Sequence, residues 1–246
     1  MPTLSIYTNF RHLNQVGKIE KSTQSFYEYT WSTLEEIMKI AIICANGKAG
    51  RLITKEAVER GEDVTVFVRD ENKSIATKAV QKDLFKITKE DLTGYDVVID
   101  AFGAWTAETI PEIPKAVEHL CDVLKGSNTR LLVVGGAGSL YTNKEHTATL
   151  DSGKNFPDAF KPLAKAHGEA LSFLRNVKDV KWTYISPATD FQAEGKRGGK
   201  YILAGEELTL NSKNMSVISY ADYAIAMIDE AVSGKNIYKR ISVVEE

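Results

Sequence analysis

What the chain lacks narrows it first. Its 246 residues include only two cysteines, Cys44 and Cys121, with no Cys-x-x-Cys spacing. That argues against a disulfide framework and a structural zinc site. Four histidines, His12, His119, His146 and His167, show no His-x-x-x-His or other ligand spacing, so no metal site is expected. No apolar run approaches the ~20 residues that a membrane-spanning helix needs. Neither sign of charge is in surplus: 31 Lys and Arg stand against 33 Asp and Glu, a net −2. A nucleic-acid binder normally shows a basic excess, and a disordered acidic tail the opposite, so neither class fits. The first residues do not follow the charged-then-apolar order of a secretory signal, and a cytoplasmic location is the expectation.

What is present is material for a sizeable core, with 43% apolar residues. The pattern changes abruptly at Met38. Residues 1–37 are polar, carry scattered aromatics such as Tyr7, Phe26 and Trp31, and hold no sustained period of 2 or 3.6. They are expected to form an appended arm. A short helix near Ser32–Met38, docked on the domain, is the alternative. From Met38 onward, Lys39-Ile40-Ala41-Ile42-Ile43 has the length and composition of a buried parallel strand. Further strands are expected at 63–68, 84–87, 96–101, 130–135 and 181–186, with helices at 48–60, 108–125 and 157–176. After Pro187 the pattern breaks into short strands and turns, then a helix near 220–232 and a last strand near 237–244. Such alternation implies an α/β fold, a doubly wound, mostly parallel, Rossmann-like sheet. Residues 38–246 make one domain, with a small C-terminal lobe on the substrate side.

The strongest chemical signal lies between the first strand and the first helix. Cys44, Ala45, Asn46, Gly47, Lys48, Ala49 and Gly50 form a small-residue turn there. Such a turn lets backbone N–H groups at a helix N-terminus reach a pyrophosphate. Gly47 would admit the phosphate, and Gly50 would let the helix pack closely on the strand. Cys44 stands where Gly-x-x-Gly-x-x-Gly has its first glycine. The end of the second strand selects the dinucleotide, since an acidic residue there bonds a ribose hydroxyl and a basic one takes a 2′-phosphate. Here the strand runs into Arg69, about 20 residues past the turn. NADP(H) is therefore favoured over NAD(H).

Taken in order, KIAIICANGKAG, VFVRDENK, YDVVIDAFGAW, RLLVVGGAGSLY, DAFKPLAKAHGEAL, WTYISPATDF and ISYADYAIAMIDE resemble the NADH-flavin-reductase-like branch of the atypical short-chain dehydrogenases, relatives of the biliverdin/flavin reductases. The resemblance spans Met38 to Val244 and leaves out residues 1–37. It implies that Gly47, Lys48, Ala49 and Gly50, then Arg69, then Ala101, Phe102 and Gly103 hold the dinucleotide. It also implies that Asp83 and Leu84 flank the adenine. Cys44 departs from the pattern.

The usual catalytic pair is missing. Tyrosine-dependent reductases place Tyr-x-x-x-Lys on one helix face so that the lysine lowers the phenol pKa. No tyrosine here has a lysine four residues on, and Phe160 stands near the place where a tyrosine would be wanted. Ser139 and Tyr141, after the Gly135-Gly136-Ala137-Gly138 turn, are the candidates for polarising a ligand. Ser139 lacks a Gly-x-Ser-x-Gly setting, which argues against a hydrolase. His167, on a helix facing the pocket, reads more readily as structural than as a base. Hydride transfer to a flavin or quinone needs stacking and orientation more than a positioned acid. A reductase of such conjugated acceptors is the leading expectation, with Phe102, Trp105, Tyr141, Phe191 and Tyr201 as candidate walls. The alternative is a non-catalytic NADP(H) sensor acting through a partner. A monomer or homodimer is expected.

Overall fold

Strands that are apolar on both faces must be covered on both faces, and this dictates the layering. A computed structural model describes residues 37–246. The expected arm and its alternative helix fall outside the described residues, Ile37 and Met38 excepted. In chain order the elements are β1 (Lys39–Ile43), α1 (Lys48–Glu59), β2 (Asp63–Val68), β3 (Lys78–Gln81), β4 (Val97–Asp100), α2 (Glu112–Leu124) and β5 (Arg130–Val134). They continue with α3 (Lys161–Asn176), β6 (Lys181–Ser186), β7 (Asp190–Gln192), β8 (Tyr201–Ala204), β9 (Val217–Ser219), α4 (Tyr220–Ser233) and β10 (Lys239–Glu245).

Successive side chains of β1 go to opposite sides. Ile40 and Ile42 join Val64, Val66, Val97 and Ile99 against α1 and α4, packing on Ile53, Ala57, Met227 and Ile228. Ala41 and Ile43 join Phe67, Val98, Leu131 and Val133 against α2 and α3, packing on Ala116, Leu120, Ala170 and Leu174. Fully burying one such isoleucine contributes roughly 1.5–3 kcal/mol. The main sheet has eight strands in the order β3-β2-β1-β4-β5-β6-β10-β8. All neighbours run parallel except β8, which is antiparallel to β10, with Leu203 opposite Val243. In register, Ile42 lies between Val66 of β2 and Ile99 of β4. The chain winds outward from β1 to β3, then crosses back to β4, which makes the carboxyl ends of β1 and β4 the switch point where α/β sheets open a crevice.

Three expectations are corrected here. The third strand is Lys78–Gln81, not 84–87. Its exposed edge sequence carries no apolar period, whereas Leu84–Lys86 is a 3₁₀ turn capped by the Asp83 carboxylate, which accepts the Phe85 N–H at 3.0 Å. The helix expected from 108 starts at Glu112, behind Pro111, which occupies the cap. The helix expected from 157 starts at Lys161, with a proline in its first turn. The C-terminal lobe consists of β7 and β9, a separate parallel pair, and the loops beside them. No helix among the described residues is long and apolar enough to cross a membrane.

Candidate functional site

A cleft of about 690 Å³ opens at this switch point, a size suited to a cofactor or small ligand. Asn46, Gly47, Lys48, Ala49, Arg69, Asp83, Leu84, Ala101, Phe102 and Gly103 all line it. Ala45 and Gly50 lie beneath the turn, both buried. A Cβ on Gly50 would sit 2.8 Å from both the Ala45 Cα and the Cys44 carbonyl oxygen, so only glycine lets α1 pack this closely. Gly47 is different: a Cβ there would meet nothing nearer than 3.4 Å, and its exposed backbone opens toward the cleft.

Cys44 has φ +61°, the left-handed conformation that normally calls for glycine. This explains why glycine is usual at the position and shows that the turn keeps its shape without it. Burial, reinforced by nearby Asp100, pushes the thiol up to about 12, so Cys44 is no nucleophile at neutral pH.

The amino end of α1 is electrically open. Its cap is Gly47, which has no side chain to satisfy the first N–H groups, and the first turn contains no acid. Lys48 and Arg51 stand there instead, the reverse of what the helix dipole favours. An external anion would satisfy both the N–H groups that no side chain caps and the positive charge beside them. Lys48 currently meets Glu194 at 3.1 Å, with both side chains exposed.

The floor is built from β4 and β5. Asp100, 3% exposed, accepts the Phe102 N–H at 2.9 Å and so holds the Ala101–Gly103 turn. Burial pushes its carboxyl up to about 7. A Cβ on Gly135 would fall 2.3 Å from the Tyr184 ring, so β5 must be followed by glycine here. The Tyr184 hydroxyl receives the Gly136 N–H at 2.9 Å and lies 3.2 Å from the His167 carbonyl and 3.4 Å from His167 Nδ1. His167, partly buried in the cleft wall, is held down to about 4 by desolvation and is neutral at physiological pH.

Aromatic rings surround the opening. Phe102 and Phe191 line it as expected, and Trp105 stands 70% exposed at the rim. Tyr201 does not line the cleft; its hydroxyl donates to Asp229 at 2.7 Å. Ser139 and Tyr141 are not brought to the cleft either. After Gly135 the chain turns away: Gly138 packs against Ala164, and Tyr141 stacks on His146 with centroids 4.2 Å apart. The Ser139 hydroxyl is buried with no partner among the described residues, and its carbonyl accepts from Arg240. Phe160 is half exposed outside the cleft, and the α3 side chain that reaches it is His167. Sequence reasoning missed Gly135, Phe85, Ala193 and Tyr220 as lining residues. The glycine pair directly after a buried strand was a usable signal for Gly135; Tyr220, tilted 37° against Phe191 with centroids 3.9 Å apart, gave none.

Switch-point cleft, glycine turn and open helix end together define the class: an α/β protein with the architecture of a dinucleotide-binding domain. The NAD(P)H-binding family matches residues 44–231, and the chain belongs to it. It is 42% identical over 212 residues to the uncharacterized protein YwnB of Bacillus subtilis (strain 168), covering 85% of this chain and 99% of that one. The crystal structure of SP1627 from Streptococcus pneumoniae TIGR4, "a putative NADH-flavin reductase", is 52% identical with a TM-score of 0.84, over 85% of this chain and 100% of that one. A "putative epimerase" from Bacteroides thetaiotaomicron is similar at 33% identity and a TM-score of 0.75, over 85% and 98%. These findings agree with the resemblance seen in the sequence motifs.

Proposed function

We propose that this protein is an NAD(P)H-dependent reductase, with NADP(H) favoured, that delivers hydride to a flavin, quinone or similar conjugated acceptor. The observation that carries this is the juxtaposition, in one cleft, of an uncapped helix end, Arg69 and an exposed aromatic rim, with no Tyr-x-x-x-Lys pair on α3 beside them. Bound NAD(P)H would supply the hydride. The α1 N-terminus and Lys48 would hold its pyrophosphate, Arg69 a 2′-phosphate, and Asp83 with Leu84 the adenine side. Gly135 and the Ala101–Gly103 turn would leave room for the nicotinamide half. Trp105, Phe102 and Phe191 would stack on a flat acceptor and exclude water from one of its faces. His167, being neutral, offers a hydrogen bond rather than an imidazolium proton, and solvent protonates the reduced ring. The relative called "a putative NADH-flavin reductase" supports this choice of acceptor class.

A second reading, an NADP(H) sensor without turnover, is favoured by the same observation that His167 is the α3 side chain lining the cleft. One experiment separates the two. Purified protein is titrated with NADPH and NADH, then assayed for their oxidation with FMN, riboflavin and a small quinone. Turnover above the uncatalysed rate supports the reductase. Tight binding with no turnover supports the sensor, and absence of binding sinks both.

A further inference from the structure

We propose that Asn46 is the positioning residue that sets the preference for a 2′-phosphate, acting through Arg69; the inference rests on the dinucleotide reading of the cleft. Asn46 sits within the glycine turn, one residue before the cap of α1. Its side chain leaves that turn and reaches the loop after β2. The Nδ2 donates to the Glu71 carbonyl at 2.8 Å, and Oδ1 accepts the Lys73 N–H, also at 2.8 Å. The partners lie 25 and 27 residues away in sequence. An amide suits this position because it offers a donor and an acceptor on one short, flat group. Aspartate lacks the donor, and serine is too short to reach both.

Among the described residues, the loop's other side-chain hydrogen bonds are internal or come from β3, and Ala76 anchors its far end in the core. Asn72 Oδ1 accepts from the Ser74 N–H and hydroxyl, at 2.9 and 2.8 Å, and its Nδ2 donates to the Ala76 carbonyl at 2.8 Å. Gln81 Nε2 donates to the Arg69 carbonyl at 3.1 Å. The loop is therefore a stiff piece whose register against the α1 turn depends on the Asn46 amide. Arg69 stands at its start and lines the cleft. The amide thus fixes the spacing between the cradle for a pyrophosphate and the guanidinium that reads a phosphate on the adenosine ribose. Without it the stiff loop loses its register against the turn, and ligand binding bears the cost of restoring it. NADH, which has no 2′-phosphate, draws nothing from Arg69 and bears almost none of it.

The test is a double-mutant cycle on the full chain, read as dissociation constants for NADPH and NADH and for the fragments 2′,5′-ADP and 5′-ADP. Asn46→Ala is expected to weaken NADPH and 2′,5′-ADP about tenfold and NADH and 5′-ADP less than about twofold. In an Arg69→Ala background it should leave the NADPH-to-NADH ratio unchanged, because the two residues act as one unit. Should Asn46→Ala fail to fold, Asn46→Ser, which keeps a hydroxyl at the turn, gives the same ratio reading. Equal losses for both nucleotides, or an undiminished effect in the Arg69→Ala background, overturn the proposal. A wild-type chain that binds NADPH and NADH alike leaves the dinucleotide reading standing and overturns this one. A wild type that binds neither overturns both.

Discussion

Helices α1 and α4 pack side by side on one face of the sheet and share one apolar cluster, yet they begin in opposite electrical states. The start of α4 is saturated by the protein. The Ser219 hydroxyl accepts the Asp222 N–H and donates to the Asp222 carboxylate, each at 3.0 Å, and that carboxylate also receives the N–H groups of Gly198 and Gly199 at 3.0 and 2.8 Å. The start of α1 has a glycine cap and no first-turn acid. The contrast extends to the surroundings. Around the C-terminal lobe, the fully buried Arg240 side chain is matched by Glu206, which Arg175 also meets at 2.7 Å. Around the cleft, Arg69 is exposed, Trp105 is bare, and Asp100 and His167 keep charge states set by burial rather than by partner ions. Saturated polar groups make a scaffold, and unsaturated ones at a switch point make a site.

The sharpest break comes at Gly50. A Cβ there would press on the Ala45 Cα and the Cys44 carbonyl, backbone atoms that cannot swing aside. Gly50→Val should abolish nucleotide binding by more than about 100-fold and cost roughly 2–3 kcal/mol of stability. Isothermal titration and urea melts would measure both. Retained affinity would mean that α1 need not approach β1 so closely for the site to work.

Two cleft groups should be visible through pH. Asp100, raised to about 7 when folded, binds a proton in the native state that the unfolded chain has released by about pH 4. Its contribution is fully present below that point and is lost as pH rises through about 7. His167, lowered to about 4, is neutral when folded while the unfolded histidine is charged below about 6.5. Its contribution is present above about 6.5 and is lost as pH falls toward 4. Between pH 4 and 6.5 the two slopes, each at most about 1.4 kcal/mol per pH unit, run in opposite senses and offset each other. Partial exposure of His167 reduces its share. Relative to wild type, Asp100→Asn should gain stability as pH rises through this window, and His167→Gln should lose it. Urea melts at pH 4.5, 5.5 and 6.5 would show diverging profiles; parallel ones would mean that neither group titrates as burial dictates.

The saturated parts of the molecule were also the parts most legible in the sequence. Buried strands such as Ile40–Ile43 and Val97–Ile99 announce themselves because both faces must be apolar. Gly50 was legible because the close approach of α1 to β1 leaves no room for a side chain, and Gly47 because a small residue keeps the turn's backbone open. The misreading of 84–87 has a physical cause: Leu84 and Ile87 are apolar because they bury beneath a capped turn, while the true edge strand Lys78–Gln81 is solvated and carries no pattern. Ser139 and Tyr141 were singled out for standing next to a glycine turn. Sequence proximity could not reveal that the chain turns away after Gly135, since that turn is fixed by packing on Tyr184, His167 and Ala164. Tyr220 and Ala193 were invisible for the converse reason, because the C-terminal lobe brings them back to the cleft from far along the chain.

Arg69 tests whether a charge that has no ion pair among the described residues serves a ligand. Arg69→Glu replaces a charge-assisted hydrogen bond with repulsion, so NADPH should weaken roughly 10- to 100-fold while NADH changes little. Competition between the two nucleotides, followed by tryptophan fluorescence, would read the ratio. Equal losses would show that Arg69 does not face a 2′-phosphate.

The smallest effects come from treating the two helix starts alike. Ser219→Ala removes the α4 cap and should cost about 1–2 kcal/mol, or a few degrees of melting temperature in a domain of this size. It should leave nucleotide affinity within about twofold, because Ser219 is buried and does not line the cleft. Lys48→Gln is the mirror. Among the described residues its one ion pair is with the exposed Glu194, a kind of pair worth about 0–1 kcal/mol, so the melting temperature should hardly move. Yet Lys48 stands at the first position of an uncapped helix, where a bound pyrophosphate would gather its charge. Nucleotide affinity should fall about threefold to tenfold, and the difference from wild type should shrink as salt rises, since exposed charges are screened within about 10 Å at 0.1 M. Melting curves and titrations on both variants, at low and high salt, place each on one axis or the other. If Lys48→Gln moved the melting temperature and spared the affinity, the open helix end would be a structural accident, and the cleft would have to bind its ligand elsewhere.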